Sequence, residues 1–170
     1  MSEKNNDTKD QTYLVDDPNV VKMMKEGLFN KIPHANTIGV EFVSIERRKA
    51  CLKIPYKKEL AGNLSTGTIH GGVIISLMDS AAGMAVFASL PTMEAIATLD
   101  LRVDYLKPAT IGKDVYGTVE CYKLTNSIAF VRGFAYQDNE DDLVATCTGT
   151  FMRASNQQGA TPLGKNNGKS

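Results

Sequence analysis

The chain has 170 residues, the length of one domain with a substantial buried core. Its 19 basic and 19 acidic side chains balance, so no overall field favours nucleic acid or an anionic membrane surface. Three widely spaced cysteines argue against a disulfide framework and predict buried thiols in a reducing compartment. With only two histidines and no closely spaced cysteine pair, a zinc site is not expected. The first residues lack the apolar run of a secretory signal, so a cytoplasmic protein is expected.

Both ends of the chain are polar and poor in apolar residues. Residues 1–12 and 155–170 are therefore predicted to be disordered tails, and residues 13–154 a single domain. Asp17 followed by Pro18 is typical of a helix N-cap with proline at the first helical position. This pair predicts a short helix over about 18–26.

Two strand-like windows follow this helix. Their alternating apolar residues are Ile38, Val40 and Phe42 in the first window and Ala50, Leu52 and Ile54 in the second. The charged segment 46–49 separates them and is predicted to be a solvated hairpin tip.

A polar, glycine-bearing loop over 63–72 leads into an almost uncharged segment, 73–90, whose single ionisable residue is Asp79. A helix that is apolar nearly all round must be enclosed by protein or by lipid. The length of the segment would suit a membrane span. The unpaired Asp79 at its centre, and the strand-like sequence that follows it, favour a helix buried against a sheet.

The two faces of this helix differ in the size of their side chains. At about 100° per residue, the face of Asp79 is mostly small; it comprises Gly72, Ile75, Ser76, Ala82, Gly83 and Val86. Opposite lie Ile74, Leu77, Ala81, Met84 and Ala88. We expect the second face to pack on the sheet and the first to leave room for an apolar group beside the carboxylate.

The chain after the helix consists of four strand-like windows. In the first, Leu99, Leu101, Val103 and Tyr105 alternate with Thr98, Asp100, Arg102 and Asp104, which predicts two opposite faces. The other windows run over 115–124, 128–136 and 143–152 and are separated by turn-forming residues. The resulting order, β-β-α-β-β-β-β, predicts an α+β fold in which a curved antiparallel sheet wraps around one long central helix.

Two features are candidates for catalysis, namely the backbone N–H groups at the start of the helix and the carboxylate of Asp79. The N–H groups of Gly71 and Gly72 lack intrahelical partners and could hold the oxyanion of an attacked carbonyl, although the glycines could instead merely relieve crowding. A carboxylate among apolar residues could be a general base or a nucleophile, or a structural acceptor of hydrogen bonds. Gly71 and Asp79 are eight positions apart, so about 12 Å of the helix axis separates them. If both act on one carbonyl, they must come from two subunits of a two-fold dimer.

At these residues the chain resembles the hotdog-fold thioesterases, specifically the PaaI-type branch of the 4-hydroxybenzoyl-CoA thioesterase superfamily. The motif elements are Asn63, Gly67, the run His70-Gly71-Gly72, and Asp79. The element order and the stretch 98–108 also match, so that the resemblance spans about residues 28–153. Asn63 precedes Gly67 by four positions, whereas in many relatives the asparagine precedes the glycine by three.

The resemblance implies an acyl-CoA thioesterase that releases a free acid and CoA without any cofactor. Asp79 would be the general base or nucleophile, and the Gly71 N–H would polarise the thioester carbonyl. Asn63 and His70 would shape the loop near that carbonyl, and Thr98 would help to hold the water. The helix face around Asp79, with Gly72, Ser76 and Gly83, would bind the substrate, without fixing an acyl or aryl preference.

Several alternatives stay open from the sequence. His70 could simply cap the helix, and this structural role is favoured over that of a general base. The phosphates of CoA call for basic residues near the site, for which Lys107, Lys123, Arg132 and Arg153 are candidates. A non-catalytic module that binds acyl-CoA or an acyl carrier is the alternative function, and a hotdog hydratase is a third. The expected dimer could pair further into a tetramer.

Overall fold

The computed structural model describes residues 12–28 and 31–154. The predicted tails lie outside this part of the chain, apart from Thr12, which is exposed. The assignment of 13–154 to a single domain stays a prediction.

Three α-helices are described. Helix α1 spans Pro18–Met23 and is extended by a wider turn over Met24–Leu28. It begins as the sequence indicates, because the Asp17 carboxylate accepts a hydrogen bond of 2.8 Å from the Asn19 N–H. Helix α2 spans Pro33–Ile38, and the central helix α3 spans Gly71–Phe87.

Helix α2 corrects the sequence-based prediction of a strand at Ile38 and Val40. Pro33 stands at its first turn, and Gly39 ends it in the left-handed conformation, with a φ of 77°. The N–H groups of Gly39 and Val40 both donate to the carbonyl of Ala35. These are the start and stop signals of a short helix, and they outweigh a two-residue alternation of apolar residues.

Six antiparallel strands form one sheet in the described part of the chain. They are β1 (Glu41–Glu46), β2 (Lys49–Ile54), β3 (Ile96–Tyr105), β4 (Val115–Leu124), β5 (Ile128–Tyr136) and β6 (Leu143–Arg153). Their order across the sheet is β1-β2-β4-β5-β6-β3. Strand β3, which follows α3, therefore crosses to the far edge of the sheet. The predicted element order and the antiparallel sheet around a long helix are confirmed.

The core lies between α3 and the concave face of the sheet. Side chains of α3 that are fully buried there include Leu77, Met78 and Ala81. Gly117 of β4 lets the helix approach closely, since a Cβ at this position would lie 3.0 Å from Leu77 Cγ. The opposite face of α3 is not covered by the sheet, and Ile75 on it is 43% exposed. The expected enclosure of the helix on all sides is therefore wrong for the single chain.

Strand β3 departs from strict alternation at Leu99. Thr98 pairs with Phe151 of β6 and Asp100 pairs with Thr150, so that Leu99 is an extra residue without a partner across the ladder. This bulge turns Thr98 to the same face as Leu101, and Leu99 is 55% exposed. The predicted faces of Thr98 and Leu99 are thus exchanged.

Candidate active site

Asp79 lies in the middle of α3, on the face that the sheet leaves open. Its Oδ1 accepts a hydrogen bond of 2.8 Å from the hydroxyl of Thr98. The carboxylate is partly exposed rather than enclosed by apolar side chains, which corrects the expectation from the sequence. One carboxylate oxygen is thus fixed by Thr98, and the other remains available to a reactant.

A pocket of about 630 Å³ opens beside Asp79, between α3, α2 and the edge strand β3. This volume is within the range of about 300–1,000 Å³ that is usual for small-molecule sites. Its walls are largely apolar; they include Ile32, Ile75, Gly83, Met84, Phe87, Ile96, Leu101 and Phe151. The pocket can therefore take an apolar group next to a carboxylate.

The predicted face of the helix is only partly correct. Ser76 and Gly83 line the pocket, whereas Ala82 and Val86 are fully buried and do not. Met84, which was expected on the opposite face, also contributes to the wall. Strand β3 and helix α2 pass on one side of Asp79, the side of Ser80 and Phe87. The pocket therefore lies on that side, and Met84 rather than Ala82 or Val86 borders it.

His34 is a residue of this site that the sequence analysis did not identify. It projects from α2 into the pocket, and its Nε2 lies 3.0 Å from the Ser76 hydroxyl. That hydroxyl donates to the Gly72 carbonyl at 3.0 Å and can accept a hydrogen bond from His34. The proline before His34 indicated the helix, but no local pattern indicated its contact 42 residues along the chain.

A second cluster of polar contacts lies at the start of α3. His70 is the N-cap, and its Nδ1 accepts a hydrogen bond of 2.9 Å from the Gly72 N–H. His70 thus caps the helix, and its part in the reaction stays a prediction. Tyr105, at the end of β3, donates its hydroxyl to the Gly71 carbonyl at 2.8 Å, and partial burial raises the pKa of this phenol. In the described part of the chain no acceptor takes the Gly71 N–H.

Asn63 organises the loop before the helix. Its side-chain oxygen accepts from the Ser65 N–H at 2.9 Å and from the Ser65 hydroxyl at 2.7 Å. Its carbonyl accepts from the N–H of Gly67, which has a φ of 66°. This arrangement is an Asx turn that only glycine closes easily.

The polar cluster at the start of α3 and the Asp79 carboxylate are not brought together within one chain. Gly71 is the first residue of α3 and Asp79 the ninth, so about 12 Å of helix axis separates them. Gly71 lines a different pocket, of about 470 Å³, with Thr68, Tyr105 and Leu106. Gly72, which was predicted to bind the substrate, lines neither of these two pockets, and its N–H donates to His70.

Three of the basic residues predicted for the CoA phosphates pair with carboxylates, and one of them, Lys107, also lines the pocket of Gly71. Lys107 pairs with Asp142, and Arg132 pairs with Glu120. Arg153 pairs with Glu94 in a nearly buried contact. Lys123 is exposed on β4. Over residues 12–28 and 31–154, no three His, Cys, Asp or Glu side chains lie close enough to hold a metal ion.

Comparison with known proteins places this geometry in a family. The profile of the thioesterase superfamily matches residues 66–144, which include His70, Gly71, Asp79 and Thr98. The Escherichia coli K12 protein named medium/long-chain acyl-CoA thioesterase YigI is 30% identical over 146 residues, covering 78% of this chain and 92% of that protein. The chain belongs to the thioesterase superfamily. The expected family is confirmed, and the chain is an enzyme that hydrolyses thioesters.

Solved structures support the same assignment for this thioesterase. A Pseudomonas aeruginosa protein is 40% identical, with a TM-score of 0.68, and the match covers 74% of this chain and 93% of that one. A thioesterase family protein from Silicibacter pomeroyi is 27% identical, with a TM-score of 0.67 and coverage of 74% and 91%. The Escherichia coli PaaI protein, at 18% identity and a TM-score of 0.66, shares the hotdog fold over 79% of this chain and 90% of its own. Of the helices that the structure describes, none has the length and hydropathy needed to cross a bilayer.

Proposed function

We propose that this thioesterase hydrolyses acyl-CoA to the free acid and CoA, with Asp79 as its general base. The observation that carries the proposal is the Asp79–Thr98 pair at an apolar pocket large enough for an acyl group. The relatives named as acyl-CoA thioesterases support the same substrate class. We also infer that the protein is cytoplasmic, because the three buried cysteines, Cys51, Cys121 and Cys147, are free thiols, which a reducing compartment keeps reduced.

In the proposed reaction, a water molecule binds the carboxylate oxygen of Asp79 that Thr98 does not occupy. Asp79 takes one proton as the water oxygen attacks the thioester carbonyl carbon. The negative charge that forms on the carbonyl oxygen is held by the Gly71 N–H. The C–S bond then breaks, and the proton on Asp79 passes to the leaving thiolate. Direct attack by Asp79, through an anhydride, is the alternative course.

Because Gly71 and Asp79 are about 12 Å apart along one helix, we infer that each site combines Gly71 of one subunit with Asp79 of another. Exposed apolar side chains on and near the edge strand β3 support a self-association surface, among them Leu99 and Leu106, which are 55% and 56% exposed. Asn63 and His70 would then serve the site through the loop that carries Gly71, and Ser76 and Gly83 through the pocket of Asp79.

The test of the base is thiol release from a panel of acyl- and aryl-CoA esters. We expect Asp79→Asn to lower kcat by about 10²- to 10⁴-fold, the usual contribution of a general base. Asp100→Asn is the matched control, because Asp100 is an exposed carboxylate of β3 on the other face of the sheet. Retention of most activity by folded Asp79→Asn would overturn the assignment. Tight binding of CoA esters by the wild-type protein without turnover would instead identify a binding module.

The test of the shared site is complementation. Asp79→Asn, which removes the base, and Gly71→Pro, which removes the oxyanion N–H at the first helical position, where proline is tolerated, are each expected to be nearly inactive. When they are unfolded and refolded together, half of the dimers are mixed, and each mixed dimer has one intact site. Activity should therefore return to about a quarter of the wild-type value. No recovery, in a mixture shown to contain mixed dimers, would place both groups of a site in one chain.

A further inference from the structure

Gly83 is an unexplained glycine in the interior of α3. Glycine is less favourable than alanine in the middle of a helix, so that it needs a reason to be there. At other glycines the reason is a positive φ, as at Gly112, or crowding, as at Gly133 and Gly149, where a Cβ would lie 2.3 Å and 2.7 Å from backbone oxygens. At Gly83 the nearest atoms to a Cβ are Phe151 Cε1 at 3.8 Å and Ile96 Cδ1 at 4.0 Å, and φ is not positive. Neither packing nor backbone conformation requires this glycine.

The space beside Gly83 belongs to the pocket of Asp79. Gly83 lies one helical turn beyond Asp79 on the same side of α3, and both residues line the pocket. Ile96 and Phe151 form the wall opposite Gly83, and Phe87 lines the pocket one turn further on. A side chain larger than a methyl group at position 83 would project into this space.

The two ends of the pocket differ in polarity, which favours one direction for an acyl chain. On the N-terminal side of Asp79, the polar atoms of the His34–Ser76 contact lie beside the apolar Ile32 and Ile75. On the C-terminal side, the walls at Met84, Phe87 and Ile96 are apolar. A hydrocarbon chain whose thioester carbon lies at Asp79 therefore runs toward Phe87.

We propose that Gly83 determines the acyl-chain length that this enzyme accepts, an inference that rests on the proposed function. From Asp79 to Phe87 the helix rises about 12 Å, and from Asp79 to Gly83 about 6 Å. An extended hydrocarbon advances about 1.25 Å per bond, given bonds of about 1.5 Å and angles of about 111°. The pocket thus holds a chain of roughly ten carbons, and the chain passes Gly83 at about its fifth carbon. The substrates are medium-chain acyl thioesters.

The experiment compares Gly83→Leu with Gly83→Ala across acetyl-, butanoyl-, hexanoyl-, decanoyl- and dodecanoyl-CoA. Leucine should lower kcat/KM for the decanoyl ester by about 10-fold or more, and should change the value for butanoyl-CoA by less than about 3-fold. Alanine is the comparison of intermediate size, because its methyl group makes only ordinary contacts, and its loss of decanoyl activity should be smaller than that of leucine. Circular dichroism and sedimentation check the fold and the oligomeric state.

Binding of decanoic acid, measured by calorimetry, separates this inference from the proposed function. Leucine should weaken decanoate binding by about 10-fold even if the wild-type protein hydrolyses no ester, in which case only the proposed function fails. Three results would overturn the role of Gly83. They are an equal loss for all chain lengths, an unchanged length profile with unchanged decanoate affinity, and dissociation of the oligomer by leucine without a change in the profile.

Discussion

Thr98 reaches Asp79 because β3 contains one extra residue. Without the bulge at Leu99, the alternation of the strand would turn the Thr98 side chain to the convex face, away from α3. With the bulge, Thr98 and Leu101 lie on the same side and both line the pocket. The Thr98 hydroxyl fixes one carboxylate oxygen of Asp79, the proposed base. The other carboxylate oxygen therefore points in a defined direction.

At this residue scale, we expect Thr98→Val to lower kcat by about 10-fold or more, with a smaller effect on KM. A hydrogen bond to a charged group contributes about 1.5–3 kcal/mol, and about 1.4 kcal/mol corresponds to a factor of ten in rate. Thr98→Ser keeps the donor and should retain most of the activity. Steady-state thiol release measures both variants. Unchanged activity in the Val variant would show that the hydroxyl does not matter, and an equal loss in the Ser variant would show that the methyl group contributes as much as the hydroxyl.

At the scale of elements, one nearly buried ion pair joins the end of β6 to the segment that leads into β3. Arg153 donates to both carboxylate oxygens of Glu94, at 3.0 Å and 2.6 Å, and to the Thr125 carbonyl at 2.8 Å. The side chains of the pair are only 12% and 8% exposed. Because β3 carries Thr98, this contact helps to hold the edge strand in register beside α3.

Glu94→Ala should therefore lower the free energy of unfolding by about 3 kcal/mol, since it leaves the Arg153 charge buried without its partner. The matched control is Asp104→Ala, which removes the Asp104–Arg102 pair, whose side chains are 52% and 72% exposed. That change should lower the free energy of unfolding by less than about 1 kcal/mol. Urea unfolding measures both. Similar losses from the two variants would contradict the importance of burial.

At the scale of the whole molecule, the core contains acidic groups that hold their protons firmly. Burial raises the pKa of the Cys147 thiol to about 11. Burial also raises the pKa of the Cys121 thiol and of the Tyr136 phenol. Each of these groups is easier to deprotonate in the unfolded chain than in the folded one. The folded state therefore binds more protons than the unfolded state at alkaline pH.

We expect the free energy of unfolding to fall as the pH rises from about 9 to about 11, the interval between the usual pKa of a thiol and that of Cys147. The sign follows because raising the pH favours the state that binds fewer protons, here the unfolded one. Denaturant unfolding at several pH values measures the decline. Cys147→Ala should reduce its slope, and a slope that does not change in this variant would show that other groups cause it.

Much of this architecture could be predicted from local patterns. The strands over 115–124 and 128–136 have the predicted bounds, because alternation and turn residues act over a few positions. The start of α3 also follows from its sequence, since His70 caps it and the glycines allow the loop to enter the helix. Helix α2 replaces the predicted strand at Ile38 and Val40, because Pro33 and Gly39 at its ends outweigh a short apolar alternation.

The sequence alone determined the order of the six strands and the central helix, the single carboxylate in that apolar helix and the motif from Asn63 to Asp79 that indicates the family. Only the tertiary structure decided that β3 lies at the edge of the sheet, that its bulge presents Thr98 to Asp79, and that His34 contacts Ser76. It also decided the side of α3 on which the pocket lies. These features depend on pairing between segments far apart in the chain, and the periodicity of a single segment carries no information about its distant neighbours.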